Sequence, residues 1–428
     1  MGTRIRNRKQ LAKSKARQDA LLLLERGLAA SLPGHALGKI LGKNYIRLGG
    51  RRLLLDRYTS VNVVSIGKSA DLMAKDVVRR IKITSGIVVI PRGTPSVMQS
   101  KKVSVFYSGH PIPNRGSVVA AGKIKLFLES LEPSALVIFL VSGGTSSLVS
   151  LPDGITLKSK QHVTDLLLKS GASIAEINCV RKHLSKVKGG RLLESLRCHA
   201  ISLVMSDVIG DDLSVIASGI TYCDKSTFSD AKKILIRYGL EKLIPKSAWK
   251  RILLGDKGKI PETPKKPRIE NHVILNNKDP VLAMVREAKK LGYSARMVWP
   301  VDGKVKAAAS KILKFLPLSD HSCIVFGGET TVTVTGAGIG GRNEELVLNM
   351  LKKIRAGENV VVASMGTDGK DGSSPAAGAI ATSSTYSEDL DEYLKENNSF
   401  CYLKKHGGAI FTGPTHTNLL DIGLILRK

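Results

Sequence analysis

From Val61 onward, short apolar runs rich in β-branched residues alternate with stretches of helical pattern. Val61–Ile66, residues 87–90 and residues 103–107 read as strands. Leu136–Val141 is the clearest, because six consecutive apolar residues leave no face for water. Residues 117–128 and 173–184 read as helices, the second opened by a capping box in which Ser173 is followed three residues on by Glu176. Parallel strands need long crossovers, and crossover helices cover both faces of the sheet they connect. The alternation therefore predicts βαβ units in an α/β fold with a mainly parallel sheet.

A chain of 428 residues is too long for one comfortable core, so two domains are expected. The best break is residues 255–267, with three prolines, two glycines and no periodicity, which reads as a linker. It divides the chain into domains 1–260 and 261–428. Alternation then resumes, with strands at 272–275, 294–299 and 323–326 and helices at 280–291 and 305–315. Ahead of the first domain, residues 21–32 read as an apolar helix ending near Pro33-Gly34. The first 17 residues carry seven basic side chains, no acidic ones and no apolar signal core, as a basic leader to that helix would.

Lys and Arg number 66 against 36 Asp and Glu, a formal net charge of +30 that would attract polyanions. A nucleic-acid-binding protein is therefore one rival reading. Against it, the basic residues are spread over the whole length, and aromatics for base stacking make up only 4%. No apolar run approaches the roughly 20 residues of a membrane helix. Five scattered cysteines without a CxxC pair argue against a disulfide framework or a zinc site, and suit a reducing cytoplasm.

The chemistry-bearing residues sit in glycine-rich turns that follow strands, the edge where open α/β sheets bind ligands. Gly67-Lys68-Ser69 resembles the end of a P-loop but has Asn62 where that motif needs glycine. It still sets a lysine beside free N–H groups at a helix start. Ser142, Gly143, Gly144, Thr145 and Ser146 form a phosphate cradle after the strongest strand. Arg181, Lys182, Lys186, Lys188 and Arg191 are five cations in eleven residues. Alone, such a run reads as a solvated helix face. Asp207, Asp211 and Asp212 crowd a strand end and would repel one another without a cation, a spacing that suits Mg²⁺. Gly336, Gly338 and Gly341 satisfy GxGxxG just before a helix expected at Arg342. That supports a second rival, an NAD(P)-dependent hydroxypyruvate reductase, although the acidic residue it needs is missing at the right distance. Asp368 and Asp371, in a Gly/Asp turn, would orient a nucleophile, hold metal or simply make the turn.

Taken in order, GKS, SGGTSSL, NCVRKHLSKVKGGRL, SDVIGDD, GGETTVTVTGAGIGGRNEEL, GTDGKDG and TGPTHTN resemble the glycerate 2-kinases of the MOFRL type over nearly the whole chain. The sequence departs from that pattern at Thr145, where a third glycine is usual, and at Asn114, Ile220 and His416. The resemblance implies a Rossmann-like N-terminal domain with a mainly parallel sheet, a smaller C-terminal α/β domain, and an active site in the cleft between them. It matches the family's catalytic lysine to Lys68 and its arginine to Arg342, and implies 2-phosphoglycerate as product.

The mechanism expected on that basis is in-line transfer from ATP to the C2 hydroxyl of D-glycerate. Lys68 and Arg342 would neutralise the transferred group, with Asp207 also catalytic. The 142–146 turn, Lys188, Gly189 and Glu329 would hold the nucleotide. Mg²⁺ would sit at Asp207 and Asp211, with Asp368 or Glu329 as further candidates. Asp207 or Asp368 would orient the hydroxyl, and Arg181 or Lys188 would hold the substrate carboxylate. The expected state is a cytoplasmic monomer or homodimer.

Overall fold

The computed structural model describes residues 3–316, 319–354 and 358–428. Two compact units emerge, one of Pro33–Ile274 and one of Met1–Leu32 with Leu275–Lys428.

The Pro33–Ile274 unit is built on six strands in the spatial order 103–108, 85–91, 61–66, 136–141, 199–205, 270–275. Numbered along the chain this is 3-2-1-4-5-6, the doubly wound order. The first five strands run parallel. Both Val61–Ile66 and Leu136–Val141 are buried at every residue, as central parallel strands covered on both faces must be. Arg115–Glu129 packs Ala120, Ile124 and Leu128 against Val64, Val89, Val137 and Phe139. Ser173 and Glu176 close the expected capping box on Ile174–His183.

In the other unit the sheet order is 409–410, 378–382, 360–366, 421–427, 322–331, 294–304. Only Ser294–Lys304 and Ser322–Thr331 pair in parallel. The other strands are antiparallel, so this second sheet is mixed. Val305–Leu313, Arg342–Leu351 and Ser399–Lys405 cover one face. Lys278–Lys290 and the N-terminal helix Lys15–Ala30 cover the opposite face.

The domain boundary expected at 260/261 needs correcting on two counts. First, Lys15–Ala30 places Leu21, Leu24 and Leu28 on one stripe, all fully buried against Val281, Met284, Ile422 and Leu424. At about 1.5–3 kcal/mol for each buried leucine, that stripe ties the leader to the C-terminal sheet. Second, residues 255–267 finish the helix Lys246–Asp256 and continue as a strap tied back onto the first unit. Thr263, 1% exposed, donates to Asp224 at 3.0 Å, the Pro261 carbonyl accepts from Arg191 at 2.6 Å, and Glu262 accepts from the Phe228 amide at 2.9 Å. The strand expected at 272–275, observed as Glu270–Leu275, consequently ends the first sheet.

Candidate functional site

In the Pro33–Ile274 unit the strand order reverses between Val61–Ile66 and Leu136–Val141, and ligands of doubly wound sheets bind beyond the carboxyl ends at such a point. Both glycine-rich turns singled out from the sequence lie there, and they interlock. The Lys68 amide donates to the Gly143 carbonyl at 2.8 Å, and the Ser69 amide donates to Ser142 Oγ at 3.1 Å. Gly67 has φ +132°, and a Cβ there would collide with Ser142, so only glycine allows this approach. At the tip, a Cβ on Gly144 would lie 2.9 Å from the His110 ring and 3.4 Å from Lys68 Cγ. The lysine stem therefore runs across the turn.

The expected cradle divides into groups that face the crevice and groups that build it. Gly144 and Ser146 are half-buried. Thr145 is turned inward: it is fully buried, and its hydroxyl is spent on the Ile66 and Ser142 carbonyls at 2.8 and 2.7 Å. Ser142 is likewise fully buried and serves as a lock between the turns. The side chains of Thr145 and Ser142 thus shape the turn rather than meet a nucleotide, and Thr145 fills the place of a third glycine by bonding beneath the loop. Gly189 is buried too, and its amide is committed to the Ser218 carbonyl at 3.0 Å.

The cation run corrects its first reading as a solvated face. Lys182 and Arg191 are buried, Lys188 is fully buried, and Arg181 is half-buried. Lys182 pairs with Asp224 at 3.1 Å. Arg181 and Lys188 both converge on Ser146: Arg181 Nη2 donates to its hydroxyl at 2.7 Å, and Lys188 Nζ to its carbonyl and hydroxyl at 2.6 and 2.9 Å. Ser146 also bonds Ser218 at 2.7 Å, which donates to Asn178 at 2.9 Å. A third cation that the sequence did not single out, Lys160, is 4% exposed, and its Nζ has no hydrogen-bond partner among the described residues. Burial and then the Arg181 charge push the Lys160 ammonium well below its usual pKa. Burial, Arg181 and Lys160 do the same to Lys188, and burial lowers Arg181 to about 10.

Asp207 and Asp211 lie half-buried in the loop after His199–Met205. Asp211, Ala217 and Ser218 all have φ near +55°, a concentration of backbone strain beside the Ser146 network. Among the described residues no group of three or more His, Cys, Asp or Glu is placed to hold a metal ion. Asp207 and Asp211 are two carboxylates on one loop, a number that suits Mg²⁺ carried in by substrate phosphates. The buried Ser69 hydroxyl at the start of Ala70–Arg80 also lacks a partner, which suits an incoming phosphate oxygen.

In the unit of Met1–Leu32 and Leu275–Lys428, Arg342 opens the helix Arg342–Leu351. Its guanidinium forks onto Asp421 at 2.6 and 3.1 Å and also bonds Glu329. Asp421 heads an antiparallel strand, opposite Gly328 and Gly366 in the two neighbours that end at the same edge. Burial works against the arginine's charge, but Asp421 and Glu329 together raise its pKa above the usual value. Glu329, expected at the nucleotide, is thus placed as a partner of Arg342, and Asp421 was not singled out from the sequence. Asp368 is half-buried in the turn after Val360–Gly366 and accepts from the Lys370 amide.

Asp371 resolves into a helix cap. It is 1% exposed and accepts from the Asn343 and Glu344 amides at 3.1 and 2.8 Å and from the Asn343 side chain at 3.2 Å. Gly341, at the N-cap, has no side chain to do this. Asp371→Ala strands three buried donors and is expected to cost about 2–4 kcal/mol, read as a lower urea midpoint. An unchanged midpoint would remove Asp371 from that role.

Glu344 is fully buried between Ser374 and Ser399 hydroxyls at 2.7 and 3.1 Å. Burial and then the Asp371 charge push its carboxyl from 4.5 up to about 8. The folded state therefore holds a proton that the unfolded chain releases near pH 4.5. This stabilisation is full below that pH and is lost as pH rises through about 8. Glu344→Gln, a neutral isostere, should flatten the decline in melting temperature between pH 5 and 8. The same slope in wild type and variant would refute the assignment.

The GxGxxG match does not form a dinucleotide fingerprint. Ten residues separate the strand ending at Thr331 from Arg342. A Cβ on Gly336, Gly338 or Gly340 would strike the 396–399 backbone or Ser399, and one on Gly341 would strike Asp371. These glycines pack loop against loop, which removes the sequence support for the nicotinamide rival.

A family model described as a domain of unknown function (DUF4147) matches residues 19–253, and the MOFRL family model matches residues 322–421. A Pyrococcus horikoshii protein named glycerate 2-kinase is 40% identical over 381 residues, 85% of this chain and 86% of the relative. A Thermotoga maritima protein named D-glycerate 2-kinase is 39% identical over 429 residues, 95% of this chain and 98% of the relative. A crystal structure titled glycerate kinase from Thermotoga maritima superposes with a TM-score of 0.83 at 36% identity, covering 95% of this chain and 98% of that one. With the site motifs in place on this fold, the chain belongs to the family of MOFRL-type glycerate 2-kinases.

Proposed function

We propose that the chain transfers the γ-phosphoryl group of ATP to the C2 hydroxyl of D-glycerate, giving 2-phosphoglycerate and ADP. The observation that carries this reading is the interlocked pair of turns at the strand-order reversal, with the Lys68 stem across Gly144. Phosphoryl transfer asks the protein for positioning and charge neutralisation, and this crevice offers helix-start amides, a lysine and the cations Arg181 and Lys188 gathered on Ser146. The relatives named glycerate 2-kinase support the substrate.

Lys68 and Arg342 each act on charge that develops as the phosphoryl group moves. Gly144 and Ser146 face the nucleotide phosphates, with Lys188 and Arg181 holding Ser146 in place. Asp207 or Asp368 accepts the hydroxyl proton as the new P–O bond forms. Mg²⁺, met by Asp207 and Asp211, supplies charge neutralisation of the phosphates when bound. The test is ADP release on adding D-glycerate to protein, ATP and Mg²⁺. ADP release that is independent of glycerate, or none at all, would refute the reading.

A further inference from the structure

We propose that Lys160, Arg181 and Lys188 form a buried pocket for a phosphoryl oxyanion beneath the 142–147 turn, with Lys160 supplying an ammonium that pairs only with that ligand. The inference rests on the kinase reading for the source of the anion, a nucleotide phosphate or the phosphate of the product.

The argument begins from charge. Arg181 and Lys188 both reach Ser146, the Arg181 charge acts on Lys160, and the charges of Arg181 and Lys160 act on Lys188. Among the described residues no carboxylate hydrogen-bonds to any of them. The nearby acid, Asp153, is already paired with Arg251. Buried like charges without a counter-ion are costly, and a fold retains them where a ligand completes the balance. Lys160 makes the point sharply. It is carried by the helix Leu157–Lys169, whose Val163 and Leu167 anchor it in the core beside Ile177 and Val180, so its stem is held inward. Its Nζ ends with three donors and no acceptor. Arg181 and Lys188 have acceptors, but neutral ones, the Ser146 hydroxyl and carbonyl and the Asn178 amide oxygen. A monocarboxylate would leave most of this charge unanswered, whereas a phosphoryl group brings two negative charges and oxygens enough for all three cations.

The test is calorimetric titration of the full chain with inorganic phosphate at constant ionic strength, comparing wild type, Lys160→Met and the exposed control Lys158→Met. Wild type and control should bind phosphate saturably. Lys160→Met should bind about 10–100-fold more weakly, the range for losing one charged donor. Its melting temperature without phosphate should equal or exceed that of wild type, because an unpaired buried ammonium is gone. Titrations with ADP and with 2-phosphoglycerate identify the source, since the ligand that uses the pocket loses affinity in Lys160→Met. Non-saturable binding to wild type, or equal affinities for all three ligands in Lys160→Met and wild type, would overturn the proposal. Neither outcome depends on turnover, so a failed glycerate assay would leave this result standing.

Discussion

Arg342→Lys is expected to lower kcat and kcat/KM for glycerate together by about 10²–10³-fold, because it keeps a positive charge but removes the planar fork. A group that acts on charge appearing only in the transition state affects both constants, while a group that merely holds substrate raises KM. The structure adds a reason to prefer lysine over alanine here. Asp421 is 6% exposed and both its oxygens accept from Arg342, so Arg342→Ala would leave a buried carboxylate without its counter-charge. Arg342→Ala should therefore lose stability as well as activity. Adding Asp421→Asn should restore melting temperature without restoring turnover. A rise in KM alone for Arg342→Lys would make the residue a substrate clamp and end the transition-state role.

Lys68→Ala is expected to show a loss of similar size, about 10²–10³-fold in both constants. The Lys68 backbone holds the turns together through its amide, which alanine keeps, so the interlock with Gly143 survives. If Lys68 and Arg342 act on one phosphoryl group, the combined variant Lys68→Ala/Arg342→Lys should lose less than the product of the single losses. A full multiplicative loss would assign them to separate steps. Unchanged constants for Lys68→Ala would reduce it to a solvated first-turn residue.

What was legible in the sequence was local. Leu136–Val141 appears with the expected bounds because six apolar residues can only be a strand buried on both faces. Ser173 and Glu176 name their helix start because a capping box is complete within four residues. The turns of Lys68 and Ser142–Gly144 were legible for the same reason, since glycine demands are set by the backbone beside them. What escaped reading depends on distant partners. The 255–267 stretch has linker composition, and only Asp224 and Phe228, far away in sequence, turn it into a strap. The stripe of Leu21, Leu24 and Leu28 announces a buried helix face but not that the opposite surface is the C-terminal sheet. Asp421 lies three residues beyond the TGPTHTN stretch, behind two leucines that point to no chemistry. Lys160 sits on an ordinary amphipathic helix, where only packing decides that this lysine points inward while Lys158 does not. Thr145 looked like a ligand donor because its hydroxyl is adjacent to two glycines, yet the Ile66 carbonyl takes it from below.

The most direct test of the central claim is the NMR spectrum of the product formed from D-glycerate, ATP and Mg²⁺. Phosphorus coupling to the single proton on C2, with ADP formed in equal amount, is the expected result and identifies 2-phosphoglycerate. Coupling to the two C3 protons, or no phosphorylated glycerate at all, would contradict the account.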